Sequence, residues 1–237
     1  MGCFASIAAA GVALVLASGG EERLVIATGP SFPPYLMMDE ASGALSGYDY
    51  DLMQEVCARI TAECDWQSVN FDRLIPGVAA GLFDVVLGGM AITAERRETV
   101  DFSRPYTWGG GVDWFVGRPG TPAPESVTTA AVSGTIQEQY LREFAYDHVS
   151  YPSEIEALAA LGAGEVALAL GPYDARPDLA PWIAGQGMVF LYSADVPDEG
   201  VGIAVCKGNH ALLARIDAAL DGMFADGTIA KLDRRWH

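Results

Sequence analysis

The chain has 237 residues, which suits one large domain or two modest lobes with a packed core. Hydrophobic residues make up 51% of the sequence and charged residues 19%, a balance that excludes an intrinsically disordered chain. The 31 acidic and 14 basic residues give a formal net charge of −17, which disfavours nucleic acid and anionic membranes as partners.

The first twenty residues predict an export signal. Residues 2–20 carry no charge, and their centre, at 7–17, is rich in Ala, Val and Leu. An apolar centre of this length is short for a membrane span and is typical of a signal peptide. No Lys or Arg precedes it, so a retained anchor and a wrongly assigned start remain alternatives. We expect residues 1–20 to be removed and the mature chain to be periplasmic.

Strand-like and helix-like stretches alternate along the rest of the chain, which predicts an α/β fold. Apolar residues at i, i+4 and i+8 predict a first helix, and Thr93 is placed to cap a short later one. The predicted strands are 24–27, 83–87, 111–116, 130–132, 166–170 and 201–205. The predicted helices are 50–60, 72–80, a segment after 135, 155–161 and 211–224.

The cysteine spacing leaves two interpretations open. Cys57 and Cys64 would be roughly 10.5 Å apart in an unbroken helix, whereas a disulfide needs Cα atoms about 4.4–6.8 Å apart. The pair can bond only if the helix ends between them, near Thr61; otherwise both are buried thiols. Cys206 is predicted to be a small core residue. The sequence has no CxxC motif and only three histidines, so we expect neither a metal site nor a cofactor.

Residues 81–106 carry the strongest functional signal. They contain GLFDVVLGGMAITAERR followed by VDFSRPY, which resembles the signature of the polar amino-acid binding proteins of ABC transporters. Further segments resemble elements of that family in the same order: FPPY at 32–35, GYDYDL at 47–52, FDRLIP at 71–76, SGT at 133–135 and DGTI at 226–229. The likeness covers nearly everything after residue 23.

This resemblance implies a type II periplasmic binding protein fold. Two α/β lobes, each a mixed sheet flanked by helices, would be joined by two crossover strands near 108–111 and 198–202. Lobe 1 would be discontinuous, formed by 21–109 and 200–237, and lobe 2 would be formed by 110–199. The lobes of such a monomer close on a ligand, and a membrane ABC permease recognises the closed form. The placement of Cys57 and Cys64 resembles the basic amino-acid branch, which has a disulfide there.

Arg96 is the leading candidate for ligand contact. A strand ends in glycines that expose backbone amides, and the helix that follows carries Arg96. The free amides, the positive end of the helix and the guanidinium can each bind a carboxylate. The alternative is a surface ion pair of Arg96 with Glu95 or Asp101. The resemblance implies that aromatic residues flank the ligand, and the remaining candidate pocket positions come from the glycine-ended strand, the turn of the second lobe and a substitute acid. These are Phe32, Phe71, Gly88, Gly89, Ala91, Gly134, Thr135 and Asp174.

Three positions depart from the family pattern. Ala91 replaces a common hydroxyl residue, Gly29 replaces an acid of the basic amino-acid binders, and Pro172 occupies the place of the carboxylate that holds the ligand ammonium. Either Asp174 or Asp198 substitutes, or the ligand lacks an α-ammonium. An unpartnered buried ammonium costs several kcal/mol, so we expect weak or absent binding of basic amino acids.

The favoured interpretation is a receptor for a small carboxylate, an amino acid or related organic acid, and not an enzyme. A dehydratase-like enzyme on the same fold would need an acid or base in the cleft, for which Asp174 and Glu199 are the evident candidates. A ligand-sensing lobe of a signalling receptor would share the binding chemistry.

Overall fold

The structure, a computed structural model, describes residues 22–39, 41–108 and 112–237. The predicted signal peptide at 1–20 and residues 109–111 of the first predicted crossover lie outside the described residues. Over the three described ranges, no helix combines the length and the apolar character needed to span a bilayer.

Strands and helices alternate from the first described residue to the last. The strands are β1 (Glu22–Thr28), β2 (Met37–Met38), β3 (Leu45–Ser46), β4 (Ala62–Ser68), β5 (Val85–Leu87), β6 (Val100–Phe102), β7 (Asp113–Gly117), β8 (Thr129–Val132), β9 (His148–Tyr151), β10 (Leu168–Gly171), β11 (Val189–Ala194) and β12 (Ala204–Cys206). The helices are α1 (Tyr48–Arg59), α2 (Leu74–Ala79), α3 (Ala94–Thr99), α4 (Ile136–Glu143), α5 (Glu154–Ala163), α6 (Ala180–Gly185), α7 (His210–Ala225) and α8 (Thr228–Trp236).

Two five-stranded sheets form the cores of two lobes. The sheet of lobe 1 has the order β4-β1-β5-β12-β6, with β1 parallel to β4 and β5, and β12 antiparallel to β5 and β6. The sheet of lobe 2 has the order β11-β7-β10-β8-β9, with β8 parallel to β9 and β10, and β7 antiparallel to β10 and β11. Both sheets are mixed, so the predicted two-lobed α/β fold is confirmed. The predicted boundaries at 109/110 and 199/200 stay predictions.

Helices cover both faces of each sheet because successive strand residues point to opposite sides. In lobe 1, Ile26 packs with residues of α1 and α7, whereas its neighbour Ala27 packs with Leu74 and Val78 of α2. Lobe 2 follows the same rule, and the side of its sheet that carries Val116 packs against α5 and α6. Its other side packs against α4 through Leu141.

The connection from α1 to β4 brings two cysteines together. The helix ends at Arg59, and Thr61 has a φ of 56°, in the left-handed region that reverses the chain. Cys57 and Cys64 form a disulfide with Cα atoms 6.1 Å apart. The helix therefore ends between the cysteines, as the disulfide interpretation requires. Cys206 is buried in β12, within the core.

Two predicted elements differ in detail. The helix expected at 72–80 begins as a 3-10 turn at Phe71–Arg73 and becomes α-helical only from Leu74. The strand expected at 201–205 is displaced towards its end: Val201 forms isolated bridges to Ala91 and Thr107, and the regular strand begins at Ala204. Val201 thereby ties the returning chain to the loop after β5.

Candidate ligand-binding site

Four neighbouring strand ends define the candidate site. In lobe 1, β1 and β5 are adjacent and parallel, and in lobe 2, β8 and β10 are adjacent and parallel. The carboxyl ends of parallel strands lie at one edge of a sheet, where α/β folds place ligands. The loops that follow these strands are 29–36, 88–93, 133–135 and 172–179. We call the region where they meet the interlobe site.

Side chains of the two lobes contact each other at the interlobe site. Arg96 Nη2 of lobe 1 donates to the Gly134 carbonyl of lobe 2 at 2.9 Å. Ser133 Oγ donates to Asp72 Oδ2 at 3.4 Å, beside the same turn. A Cβ atom on Gly134 would lie 2.8 Å from Asp72 Cα, and Gly134 has a φ of 77°, so glycine is required at this close approach.

Arg96 lies at the centre of these contacts. Thr93 caps α3 by accepting a hydrogen bond from the Arg96 amide, which fixes the direction of the side chain. The guanidinium donates to the carbonyls of Ala91, at 2.6 Å, and Gly134, and it lies 5.6 Å from the centroid of the Phe71 ring. Arg96 is only 8% exposed, and burial lowers the pKa of its guanidinium to about 10.

The guanidinium of Arg96 has no carboxylate within 4 Å among the described residues. The two acids proposed as alternative partners are engaged elsewhere. Glu95 pairs with Arg142 at 3.4 Å, and Asp101 pairs with Lys207 at 2.8 Å. The alternative of a surface ion pair is therefore wrong, and Arg96 is a buried cation whose only hydrogen-bond partners in the described chain are carbonyls.

Two glycines shape the loop after β5. Gly88 and Gly89 have φ values of 131° and 63°, and a Cβ atom on Gly89 would lie 2.8 Å from the Phe32 ring. The Gly89 amide donates to Asp49 Oδ2 at 2.7 Å, so this amide faces α1 and not the site. The glycines let the loop pass close beneath Phe32. Their role as ligand donors stays a prediction, as does that of Ala91.

Asp49 is a buried residue that sequence reasoning treated only as part of a family motif. Its second oxygen, Oδ1, accepts a hydrogen bond from the Tyr106 hydroxyl at 2.7 Å. Burial raises the pKa of the Asp49 carboxyl to about 6, against the lowering effect of these donors. Asp49 therefore anchors the loop that leads to Ala91 and Arg96. The signal that could have found it is an acid at the first turn of an otherwise apolar helix face.

The turn at 133–135 in lobe 2 is a helix cap that also faces lobe 1. Thr135 Oγ1 accepts a hydrogen bond from the Glu138 amide at 3.3 Å, and the Gly134 amide donates to Glu138 Oε2 at 2.7 Å. The Gly134 carbonyl thus accepts a hydrogen bond from Arg96, while the Gly134 amide donates to the side chain of Glu138 in α4. The predicted donation from Gly134 and Thr135 to a ligand carboxylate stays untested.

At the end of β10, the glycine that precedes Pro172 lies against an aromatic ring. A Cβ atom on Gly171 would lie 2.8 Å from the Tyr173 ring, and Tyr173 is 1% exposed. On the other lobe, a Cβ atom on Gly29 would lie 3.1 Å from Phe71. Close packing against an aromatic ring therefore accompanies Gly29 and Gly171, the residue before Pro172.

Three carboxylates gather near the predicted crossovers. Asp174 accepts a hydrogen bond from the Val112 amide at 3.3 Å, and Asp198 accepts one from Gly200 at 2.6 Å. Asp113, which sequence reasoning missed, is 9% exposed and accepts a hydrogen bond from Gln137 Nε2 at 2.7 Å. Burial raises the pKa of Asp113 to about 6, and the nearby charges of Asp174 and Asp198 add to the increase.

Arg176 is a second arginine at the interlobe site and was also missed, since it lies outside every motif. It follows the 3-10 turn Tyr173–Ala175 and is 3% exposed. Its Cζ atom lies 5.2 Å from the centroid of the Phe32 ring of lobe 1. Unlike Arg96, it has two carboxylate partners, Glu154 and Asp178.

The fold and the facing strand ends around a buried arginine define a two-lobed solute-binding protein. A sequence profile of the bacterial extracellular solute-binding proteins, family 3, matches residues 24–237, and the chain belongs to this family. The arginine-binding periplasmic protein of Mannheimia haemolytica is 28% identical over 216 residues, which cover 90% of each chain. The family resemblance of the sequence is thereby confirmed.

Solved structures agree with this assignment. An ancestral arginine-binding protein bound to arginine is 28% identical with a TM-score of 0.80, over 90% of this chain and 97% of that chain. A periplasmic His/Glu/Gln/Arg/opine family-binding protein from Silicibacter pomeroyi, in complex with lysine, is also 28% identical with a TM-score of 0.80. That match covers 90% of this chain and 96% of the other.

Proposed function

We propose that the protein is a periplasmic receptor for a small carboxylate, an amino acid or related organic acid, which it delivers to a membrane ABC permease. The observation that carries the proposal is Arg96, a buried cation without a carboxylate partner among the described residues. Burial of an uncompensated charge costs several kcal/mol. A ligand carboxylate that accepts two hydrogen bonds from the guanidinium offsets this cost.

The position of Arg96 supports closure of the two lobes on the ligand. Its side chain belongs to lobe 1 and already bonds to Gly134 of lobe 2. A carboxylate held at this point contacts both lobes, so it stabilises the closed arrangement over an open one. We propose that the ABC permease distinguishes the two arrangements. Relatives are named as ABC transporter arginine-binding proteins, which supports this role.

A binding role without turnover is favoured over an enzyme on the same fold. Catalysis would need an acid or base beside the bound carboxylate. Of the two candidates, Glu199 pairs with the exposed Arg97 at 3.0 Å, and Asp174 accepts from the Val112 amide. Neither Glu199 nor Asp174 contacts Arg96. We therefore propose that Arg96 binds the ligand carboxylate and that the ligand is not converted.

Thermal-shift screening of the chain without residues 1–20 tests the proposed function. The twenty standard amino acids and a set of organic acids are added singly, and we expect one or a few to raise the midpoint. A ligand at 100 times its Kd stabilises by about 2.7 kcal/mol. Mass spectrometry of the recovered ligand should find it unchanged. A screen without any stabilising carboxylate, or a ligand converted to product, would contradict the proposal.

A further inference from the structure

The guanidinium of Arg176 has two carboxylates at its edge and an aromatic ring on its face, all supplied by the chain itself. Nε and Nη2 donate to the two oxygens of Asp178 at 2.9 and 2.8 Å, and Nη1 pairs with Glu154 at the start of α5. The face of the guanidinium lies over Phe32. Two carboxylates on its edge and an aromatic ring on its face are the contacts with which proteins bind a guanidinium cation.

The arrangement lies within the interlobe site. Phe32 belongs to the loop after β1, and its ring packs against Gly89, two residues before the carbonyl of Ala91 that holds Arg96. Arg176 and Glu154 belong to lobe 2, so the contact of Arg176 with Phe32 joins the lobes. The site therefore has one arginine with two carboxylate partners and one, Arg96, with none in the described chain.

We infer that Arg176 is a specificity-determining residue, whose guanidinium fills the Phe32 side of the interlobe site and restricts the receptor to carboxylates with short side chains. The inference rests on the proposed function, because it assumes that Arg96 binds the ligand carboxylate. If a ligand bound at Arg96 has a long cationic side chain that extends towards Phe32, this side chain reaches the position that the Arg176 guanidinium already occupies. The ligand must displace Arg176 from both of its carboxylates.

Competition with an intramolecular group is unfavourable for a dissolved ligand. A tethered group acts at an effective concentration in the millimolar range or above, whereas the ligand is dilute. If Arg176 leaves the arrangement only about 1% of the time, the apparent affinity for a basic amino acid falls by about a hundredfold. Removal of the guanidinium would leave a site lined by Phe32, Glu154 and Asp178, which fits the side chain of arginine.

The test is calorimetry with L-arginine on the wild type and Arg176→Ala, and Arg118→Ala serves as the matched control because Arg118 is an exposed arginine of lobe 2. We expect Arg176→Ala to gain at least tenfold in affinity for L-arginine and Arg118→Ala to behave as the wild type. Ethylguanidinium should raise the melting midpoint of Arg176→Ala and should leave those of the wild type and Arg118→Ala unchanged. Equal arginine affinities of the wild type and Arg176→Ala would overturn the inference.

Two further variants keep the outcomes separable. Arg176→Gln retains a donor for Asp178 and replaces the alanine variant if the latter does not fold; it should gain arginine affinity in the same direction. In Arg96→Ala/Arg176→Ala the gained arginine affinity should be lost, while stabilisation by ethylguanidinium should remain. Arginine affinity that persists in this double variant would contradict the proposed role of Arg96, and absence of any gain in Arg176→Gln would contradict the role of Arg176.

Discussion

Two consecutive arginines on α3 lie in opposite environments. Arg96 is buried at the interlobe site, whereas the side chain of Arg97 is 42% exposed and pairs with Glu199. Neighbouring residues of a helix project about 100° apart, so one can face a packed interface and the next one solvent. Arg97 also stacks on Phe102 at 5.9 Å. Arg96 is therefore the residue to test for ligand binding, and Arg97, an arginine one position away, is the matched control.

Replacement of Arg96 by alanine should weaken binding of the ligand found by the screen by about thirtyfold or more. The reason is that loss of one partner of a buried, hydrogen-bonded charge pair costs about 2–5 kcal/mol. Arg97→Ala should change the affinity less than threefold, because exposed pairs contribute little. Calorimetry measures both, with circular dichroism to verify folding. Unchanged affinity in Arg96→Ala would exclude it as the carboxylate ligand.

Asp113→Asn should alter how stability depends on pH. The pKa of Asp113 rises from an ordinary 3.8 to about 6 in the folded chain, so the folded state binds its proton more tightly than the unfolded state. Stability should therefore increase as pH falls from 7 to about 4.5, by at most roughly 3 kcal/mol for this group. Asn keeps the acceptor for Gln137 and removes the charge, so the variant should be the more stable form at pH 7.

Urea unfolding between pH 4.5 and 7.5 measures this effect. The advantage of Asp113→Asn should shrink as pH falls, and part of the pH dependence should remain because the pKa of Asp49 is also raised to about 6. Parallel pH profiles of the wild type and the variant would show that Asp113 titrates normally. The groups whose pKa is lowered, such as Asp226 at about 2, act below this window.

At the scale of elements, three of the strands that the sequence did not predict, β4, β9 and β11, are edges of the two five-stranded sheets. An edge strand exposes much of its surface, and most residues of these three are exposed or only half-buried. β4 and β9 contain no run of apolar residues, whereas β11 begins with the apolar run Val189–Tyr192 and was still not predicted. The central strands β1, β5, β8 and β10 are buried on both faces, so their apolar runs were predictable.

The same distinction applies to the site. Arg96 was predictable because its strand, glycines and helix are consecutive in the sequence. Arg176, Asp113 and Glu154 have ordinary sequence surroundings and acquire their contacts only when distant strands pair and the lobes meet. A local sequence pattern does not show which distant strands pair, so the roles of these residues could be identified only from the three-dimensional structure.

The disulfide between Cys57 and Cys64 joins α1 to the edge strand β4. We predict that neither thiol is labelled when mature protein is alkylated without reduction and analysed by mass spectrometry. Replacement of both cysteines by alanine should lower the free energy of unfolding by about 2 kcal/mol, the modest value expected for a short loop. Labelling of both thiols in unreduced protein would contradict the prediction. The other strands of lobe 1 should be retained in the variant.

The charge of the whole molecule gives a prediction about basic amino acids. A net charge of −17 attracts cations, but the attraction between exposed charges is screened within about 10 Å at 0.1 M salt. We expect lysine and arginine to bind the refolded wild type weakly, with a Kd that increases further with added salt. Titrations at low salt and at 0.15 M NaCl measure this. Submicromolar binding at the higher salt would indicate that Asp113, Asp174 or Asp198 holds the ammonium group.

The position of β12 also governs the order in which the molecule can be assembled. All strands of the lobe 2 sheet lie between residues 113 and 194, so that sheet can form from one uninterrupted stretch. In lobe 1, β6 pairs with β12 and with no other described strand, and β12 is separated from it by the whole of lobe 2. Closure of so long a loop is entropically unfavourable and slow. When the chain folds as it emerges from its amino terminus, the sheet of lobe 2 can therefore be completed first. In lobe 1, the edges of β5 and β6 that pair with β12 stay unpaired until residue 206 is available.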